Sequence, residues 1–313
     1  MGENISTRVA YGLALAEFGN REDIYAFDAD LKSCTMSQYF AEQYPQRFFN
    51  MGIAEANMVD VAAGFATCGA TALVHTFAMF ASGRVYDQVR NSIAYPGLNV
   101  KVIGSHAGLT VGEDGATHQC IEDISLMRTI PGMTVIVPCD DNEARLATKA
   151  MLDYKGPCYF RTGRCKVESV TDSIEGYTFE LGKGVELVSG SDVTIIACGL
   201  MVQEALKAAK LLQEQGISAR VIDMHTIKPI DREIIVKAAR ETGAIVTAEE
   251  HNIIGGLGGA VSEVVAAEYP VPVERVGVND VFGHSAAADL LLEKYGLTPE
   301  NIVEHAKKAI VRK

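Results

Sequence analysis

Apolar and polar residues alternate along the chain in two rhythms. Short, nearly unbroken apolar runs stand at 24–28 (IYAFD), 71–76 (TALVHT), 98–104 (LNVKVIG), 133–138 (MTVIVP) and 157–161 (PCYFR). Between them lie helix-period segments such as 6–18 (STRVAYGLALAEF) and 140–154 (DDNEARLATKAMLDY). The latter opens on Asp140 and an acidic first turn, the mark of a capped helix start. Apolar runs alternating with helices predict parallel strands joined by crossover helices.

After residue 163 the rhythm weakens into polar, Gly- and Ser-containing sequence that ends in VSGSD. A second set of runs follows at 193–199 (VTIIACG), 218–224 (SARVIDM) and 243–250 (GAIVTAEE). The pattern therefore predicts an α/β domain over 1–165, a linker over 166–185 and a second α/β domain over 186–313, with no internal repeat.

Composition narrows the classes. With 313 residues, 48% hydrophobic and 22% charged, the chain can build two cores. A formal net charge of −12 argues against nucleic acid or an anionic membrane as the main partner, while a local basic pocket for a small anion stays compatible with it. No apolar run reaches the roughly 18–20 residues of a membrane helix, and MGENISTRVA has no apolar leader core, so a soluble cytoplasmic protein is expected. The seven scattered cysteines form no C-x-x-C pair and fit a reducing compartment better than a disulfide or zinc framework; no metal ligand set is expected on this chain.

Three stretches carry candidate chemistry. In NMGIAEANM (50–58), Glu55 opens an apolar helix-like run, where an unpartnered carboxylate is costly. The segment 104–119, GSHAGLTVGEDGATHQ, follows a buried strand and gathers His106, Glu113, Asp114, His118 and Gln119 among four glycines. Ligands of parallel sheets bind beyond such strand ends. In HTFAMF (75–80), Phe77 and Phe80 would share a face, either as core rings or as a platform for a flat cofactor. Nearby basic residues are Arg8, Lys32, Arg84, Arg161 and Arg164. Arg161 lies at a strand end, and Arg8 sits near a helix start, where a cation is unfavourable unless exposed or facing an anion. No G-x-x-x-x-G-K-[ST] or well-placed G-x-G-x-x-G phosphate cradle is present, and the glycines of IIGGLGGA read as close helix packing.

Taken together, NMGIAEAN, HTFAMF, GLTVGEDGATHQ, the PCD at 138–140 and YFRTGR resemble the C-terminal half of transketolase, across essentially the whole chain. GEDGATHQ is the most specific match. The resemblance implies two consecutive three-layer α/β domains with mainly parallel sheets: a pyrimidine-binding domain for thiamine diphosphate, then the family's C-terminal domain. It implies that Glu55 bonds the cofactor's aminopyrimidine nitrogen, with burial raising the carboxyl pKa to suit proton sharing. Phe77 and Phe80 correspond to the shelf for that ring, with Gly83 where a third aromatic is expected. Asp30 matches an acidic position near the cofactor, and Cys34 replaces a nearby serine. His118 and Asp114 match sugar-hydroxyl ligands; His106, Arg8 and Arg161 match the group that grips the sugar phosphate. Glu55, His118 and His106 are thus the implied catalytic residues.

In that family the diphosphate and its Mg²⁺ or similar divalent ion are held by a G-D-G…N motif on the N-terminal domain, and this chain has no such motif. The resemblance therefore implies a split enzyme: a separate N-terminal subunit, an α2β2-type assembly, and sugar phosphates as substrates. Alternatives are another carboligase of the deoxyxylulose-phosphate synthase kind, a transketolase turned to an unusual sugar, and a non-catalytic subunit. His106 with the GEDGATHQ loop favours a phosphorylated ketol donor, and joint retention of Glu55, His106, Asp114 and His118 argues against a non-catalytic role.

Overall fold

The computed structural model describes residues 4–313. Its first strands are β1 (Ile24–Asp28), β2 (Phe48–Asn50), β3 (Thr71–Phe77), β4 (Val100–Ser105), β5 (Thr134–Ile136) and β6 (Cys158–Arg161). The later ones are β7 (Val185–Val188), β8 (Val193–Ala197), β9 (Ala219–Asp223), β10 (Thr226–Lys228), β11 (Ile245–Asn252) and β12 (Val273–Val278). They form a seven-stranded sheet in the order β10-β5-β6-β4-β3-β1-β2 and a five-stranded sheet in the order β12-β11-β8-β9-β7. All pairings are parallel except β10 on β5 and β7 on β9. Among the described residues no helix is long and apolar enough to cross a membrane.

Both faces of each sheet are covered, which is why the strands read as continuous apolar runs. Leu73 and Ile103 face the helices Thr7–Phe18 and Asp141–Asp153 through Tyr11, Leu15, Ala147 and Met151. Their neighbours Val74 and Val102 point the other way, onto Met58, Val59 and Ala62 of the helix Glu55–Thr67. That second cluster runs on into the other sheet through Ile196, Ile222, Met224 and Leu257, so the two units share one apolar core. The far face of the second sheet packs Ile195, Val221 and Val246 on the helices Met201–Glu214 and Pro299–Val311. The expected pair of three-layer α/β units is what the chain forms.

Several elements gave no readable signal. β2, β7 and β10 are three or four residues long at sheet edges, and in β12 (VERVGV) charged positions interrupt the apolar run. β10 belongs by sequence to the second set but lies beside β5, completing the first sheet. The weakly patterned stretch between the units is pinned rather than loose. Asp140, besides capping Glu143 N (2.8 Å), accepts from Val170 N (2.7 Å) and Thr171 N (2.6 Å).

Where β9 ends, Asp223 is fully buried against Cys139 and Glu143, their ligand atoms within 4.8 Å of one another. Tyr177 Oη and Cys139 N donate to the two Glu143 oxygens, the latter at 2.7 Å, while both Asp223 oxygens lack a donor among the described residues. Burial, reinforced by Glu143, pushes the Asp223 carboxyl well above the usual carboxylate range, so it stays protonated where an unfolded chain would be ionised. A raised native pKa contributes stability that is complete below the ordinary range, near pH ~4, and fades as pH climbs toward the native value. The neutral isostere Asp223→Asn has no proton to lose. Denaturant unfolding across pH 4–9 should show wild type losing ground to this variant as pH rises, with a slope of at most about 1.4 kcal/mol per pH unit. A constant gap would rule the proton out.

Candidate active site

The polar stretches converge at the carboxyl ends of β1, β3, β4 and β6. A surface groove of about 680 Å³, lined by Asp23, Tyr25, Phe65 and Cys68, opens at the opposite ends of β1 and β3 and lacks any comparable set of polar groups.

Glu55 starts the helix Glu55–Thr67 with its side chain 3% exposed. The positive end of the helix favours an anion there. A second source of stabilisation corrects the expectation that its partner lies wholly outside the chain: Arg84 Nη1 donates to Glu55 Oε1 at 2.6 Å. Arg84 closes the π-helical turn Phe80–Arg84 that follows β3, and its guanidinium carbon lies 4.1 Å above the Phe80 ring centroid. Phe77 and Phe80 are nearly parallel, with centroids 6.2 Å apart and planes at 18°. A buried carboxyl beside a stacking face is what a flat, nitrogen-bearing ring requires, and the guanidinium already stacked on Phe80 shows that the face accepts a planar group.

His106 and His118 close the other side of this platform. The His106 ring is 4.2 Å from that of Phe77, and the His118 ring stands edge-on to Phe80 at 5.4 Å. His106 is held with φ at 59°, in the left-handed region that a side chain rarely adopts. Such strain is characteristic of ligand-facing residues. Its Nε2 accepts from Arg8 Nη1 (3.4 Å), which leaves Nδ1 to donate to Ser105 Oγ (2.9 Å). Burial, then Arg8 and Arg164, drive the His106 pKa down to about 3, so the ring is neutral at physiological pH. It carries no charge, and with its one N–H given to Ser105 its Nε2 is left as an acceptor; the charge here belongs to Arg8 and Arg164. Arg164 is part-exposed, lies 3.5 Å from Glu113, and donates to Val111 O.

Arg161 does not join this group. Its side chain is 6% exposed, Nε donates to Asp123 Oδ2 (2.7 Å) and Nη2 to Glu250 O (2.9 Å). Asp123 also takes the Tyr159 hydroxyl at 2.8 Å. The assignment of Arg161 to a substrate anion is therefore corrected: its charge is paired with buried Asp123 inside the protein, and Arg164, three residues on, has the exposure and the neighbours for that role. RTGR contains both arginines, and only the tertiary partner Asp123 tells them apart. Asp114 is exposed at the end of the turn Leu109–Asp114. Asp30 is exposed past β1 and accepts from Asn50 Nδ2 (2.8 Å), while Cys34 offers its carbonyl to Arg8 Nη1 (2.7 Å).

The second unit holds the loop in place. Glu250 Oε1, at the end of β11, accepts from Thr110 N (2.5 Å), and a Cβ at Gly108 would fall 2.3 Å from that carboxylate, so only glycine allows the approach. Gln119 Nε2 donates to His284 O (2.8 Å), and Ser285 Oγ to Glu113 O (2.5 Å). Glu249 caps the helix Leu257–Glu268 by accepting from Leu257 N (2.7 Å) and Gly258 N (2.8 Å). EEHNIIGGLGGA thus joins the units, a role its sequence did not disclose.

Comparison with known proteins agrees with this geometry. Residues 3–169 match the family described as "Transketolase, pyrimidine binding domain", and residues 182–302 match "Transketolase, C-terminal domain". A Methanocaldococcus jannaschii protein, provisionally named a transketolase C-terminal section, is 50% identical over 299 residues, covering 95% of this chain and 94% of its own. A 6-deoxy-6-sulfo-D-fructose transketolase subunit from a Clostridium species is 46% identical, covering 98% of this chain and 95% of its own. Among solved structures, one titled as a split gene transketolase, inactive beta4 tetramer, superposes with a TM-score of 0.90 at 50% identity, covering 99% of each chain.

The two arginines of RTGR should separate cleanly in denaturant unfolding. Arg161→Ala strands Asp123 in the interior and should cost about 3–5 kcal/mol. Arg164→Ala, on a part-exposed side chain, should stay within about 1 kcal/mol of wild type. Equal losses would contradict the division of roles.

Proposed function

This chain belongs to the transketolase family of thiamine-diphosphate-dependent enzymes, and on that basis we propose that it is the C-terminal subunit of a split transketolase. The reaction is transfer of a two-carbon ketol unit from a ketose phosphate to an aldose phosphate. The observation that carries this reading is the junction of buried Glu55 with the parallel Phe77 and Phe80 rings, and of these with His118, His106, Arg8 and Arg164. When bound, thiamine diphosphate supplies the carbon nucleophile that takes up and hands on the two-carbon unit.

The remaining work falls to this chain's own groups. Phe77 and Phe80 stack against the aminopyrimidine, and Glu55 holds a proton at its ring nitrogen. His118 and the exposed Asp114 face the sugar hydroxyls. Arg8 and Arg164 carry the charge that grips the terminal phosphate, and neutral His106 lines the same subsite with its Nε2 steadying Arg8. Asp30 takes a supporting place at the rim.

The diphosphate and its divalent ion are assigned to a separate N-terminal subunit, because this chain contains no G-D-G followed by Asn. Exposed apolar side chains border the site, Ile53 at 80% and Phe282 at 79%, and suit coverage by another subunit. The assembly is taken as α2β2, in the cytoplasm. The relative named for a sulfonated sugar suggests that the subsite recognises a tetrahedral terminal oxyanion, and two guanidinium groups with no added histidine charge favour the phosphate dianion over a sulfonate.

Calorimetry should find no binding of thiamine diphosphate with Mg²⁺ by this chain alone, and binding once the N-terminal subunit is added; tight binding by the lone chain would sink the split-subunit reading. In the reconstituted enzyme, Glu55→Gln should lower kcat by about 10²–10⁴-fold. Arg164→Ala should raise KM for the sugar phosphate about 10–100-fold with a smaller effect on kcat. An unchanged KM would remove Arg164 from the anion subsite.

A further inference from the structure

The contact between Arg84 and Glu55 has a geometry beyond simple charge pairing. Glu55 is 3% exposed and Arg84 is 47% exposed, so the guanidinium reaches in from the solvent side to a buried carboxylate. On the way its central carbon passes over Phe80, 4.1 Å from the ring centroid, and it donates to Glu55 Oε1 at 2.6 Å. It is a planar, nitrogen-edged group, stacked on an aromatic face and hydrogen-bonded to the carboxylate beside it. An aminopyrimidine bound in this site would make the same two contacts.

Both groups cannot use that face of Phe80 and Glu55 Oε1 at once. The backbone around Arg84 suits an exchange: Phe80–Arg84 is a π-helical turn, a form frequent at functional sites, and Gly83 precedes the arginine. Withdrawal of the guanidinium frees Glu55 Oε1 to meet a ring nitrogen in its place.

We propose that Arg84 is a placeholder: its guanidinium occupies the seat of the cofactor's aminopyrimidine, holding Glu55 Oε1 and the face of Phe80 until the ring arrives and displaces it. The proposal rests on the thiamine-diphosphate reading of this site. It makes Arg84 a positioning residue, acting through Glu55.

The test titrates the complex with the N-terminal subunit by calorimetry, using thiamine diphosphate with Mg²⁺. Arg84→Ala should bind about 3–10-fold more tightly than wild type, having no ion pair or stacked cation to displace. Arg84→Gln, which keeps a planar group without charge, should also bind more tightly than wild type and serves if the alanine variant folds poorly. Equal or weaker cofactor binding by these variants overturns the placeholder. If Glu55→Gln still impairs turnover in that case, the transketolase reading survives without it. If wild type binds no cofactor with its partner subunit, the parent reading falls and the placeholder falls with it.

Discussion

The buried ion pair between Arg161 and Asp123 is the contact on which the rest of the arrangement depends. It sits where both units meet, with the guanidinium bridging the carboxylate of Asp123 and the main-chain oxygen of Glu250. Neither charge is tolerable there alone, since an isolated buried ion is disfavoured by several kcal/mol even after relaxation. The pair therefore forces β6, the start of the helix Asp123–Thr129 and the end of β11 into one place. Glu250, so positioned, aims its carboxylate at Thr110 N and sets the loop that carries His106 and His118. A polar contact in the interior thus governs the shape of a site several residues away on each of its chain segments.

Charge is distributed for the same purpose. The chain as a whole is acidic, at −12, yet Arg8 and Arg164 stand close enough together to depress the histidine between them. Two like charges gathered around a neutral ring are unfavourable without an anion. The folded protein holds that arrangement through carbonyl acceptors, Cys34 O for Arg8 and Val111 O for Arg164, with Glu113 3.5 Å from Arg164 and the buried Arg8 Nε left without a partner among the described residues. Global charge and local potential point in opposite directions, and only the second describes what the site can hold.

Much of this was legible beforehand. The apolar runs located most of the longer strands because both sheet faces are covered, and the density of GSHAGLTVGEDGATHQ marked the loop. What sequence could not show was direction. Arg161 and Arg164 are the same residue type in one tetrapeptide, and a buried Asp123 decides which of them turns inward. Glu55 looked unpartnered because Arg84 is 29 positions away and is brought back by a π-turn that has no apolar signature. The neutrality of His106 follows from burial and two arginines from separate segments, which its residue type alone does not disclose.

β10 carries a consequence for how the molecule is made. Its three residues, Thr226–Lys228, cover the edge of β5, a strand laid down about ninety positions earlier. During synthesis the first unit can emerge with its other strands paired while this edge stays open, presenting free backbone donors and acceptors to any neighbouring chain. The hazard ends only when β10, part-way into the second unit, has left the ribosome. Folding of the two units is therefore coupled in time as well as in space, and the nascent chain is most exposed to mispairing in the interval between them.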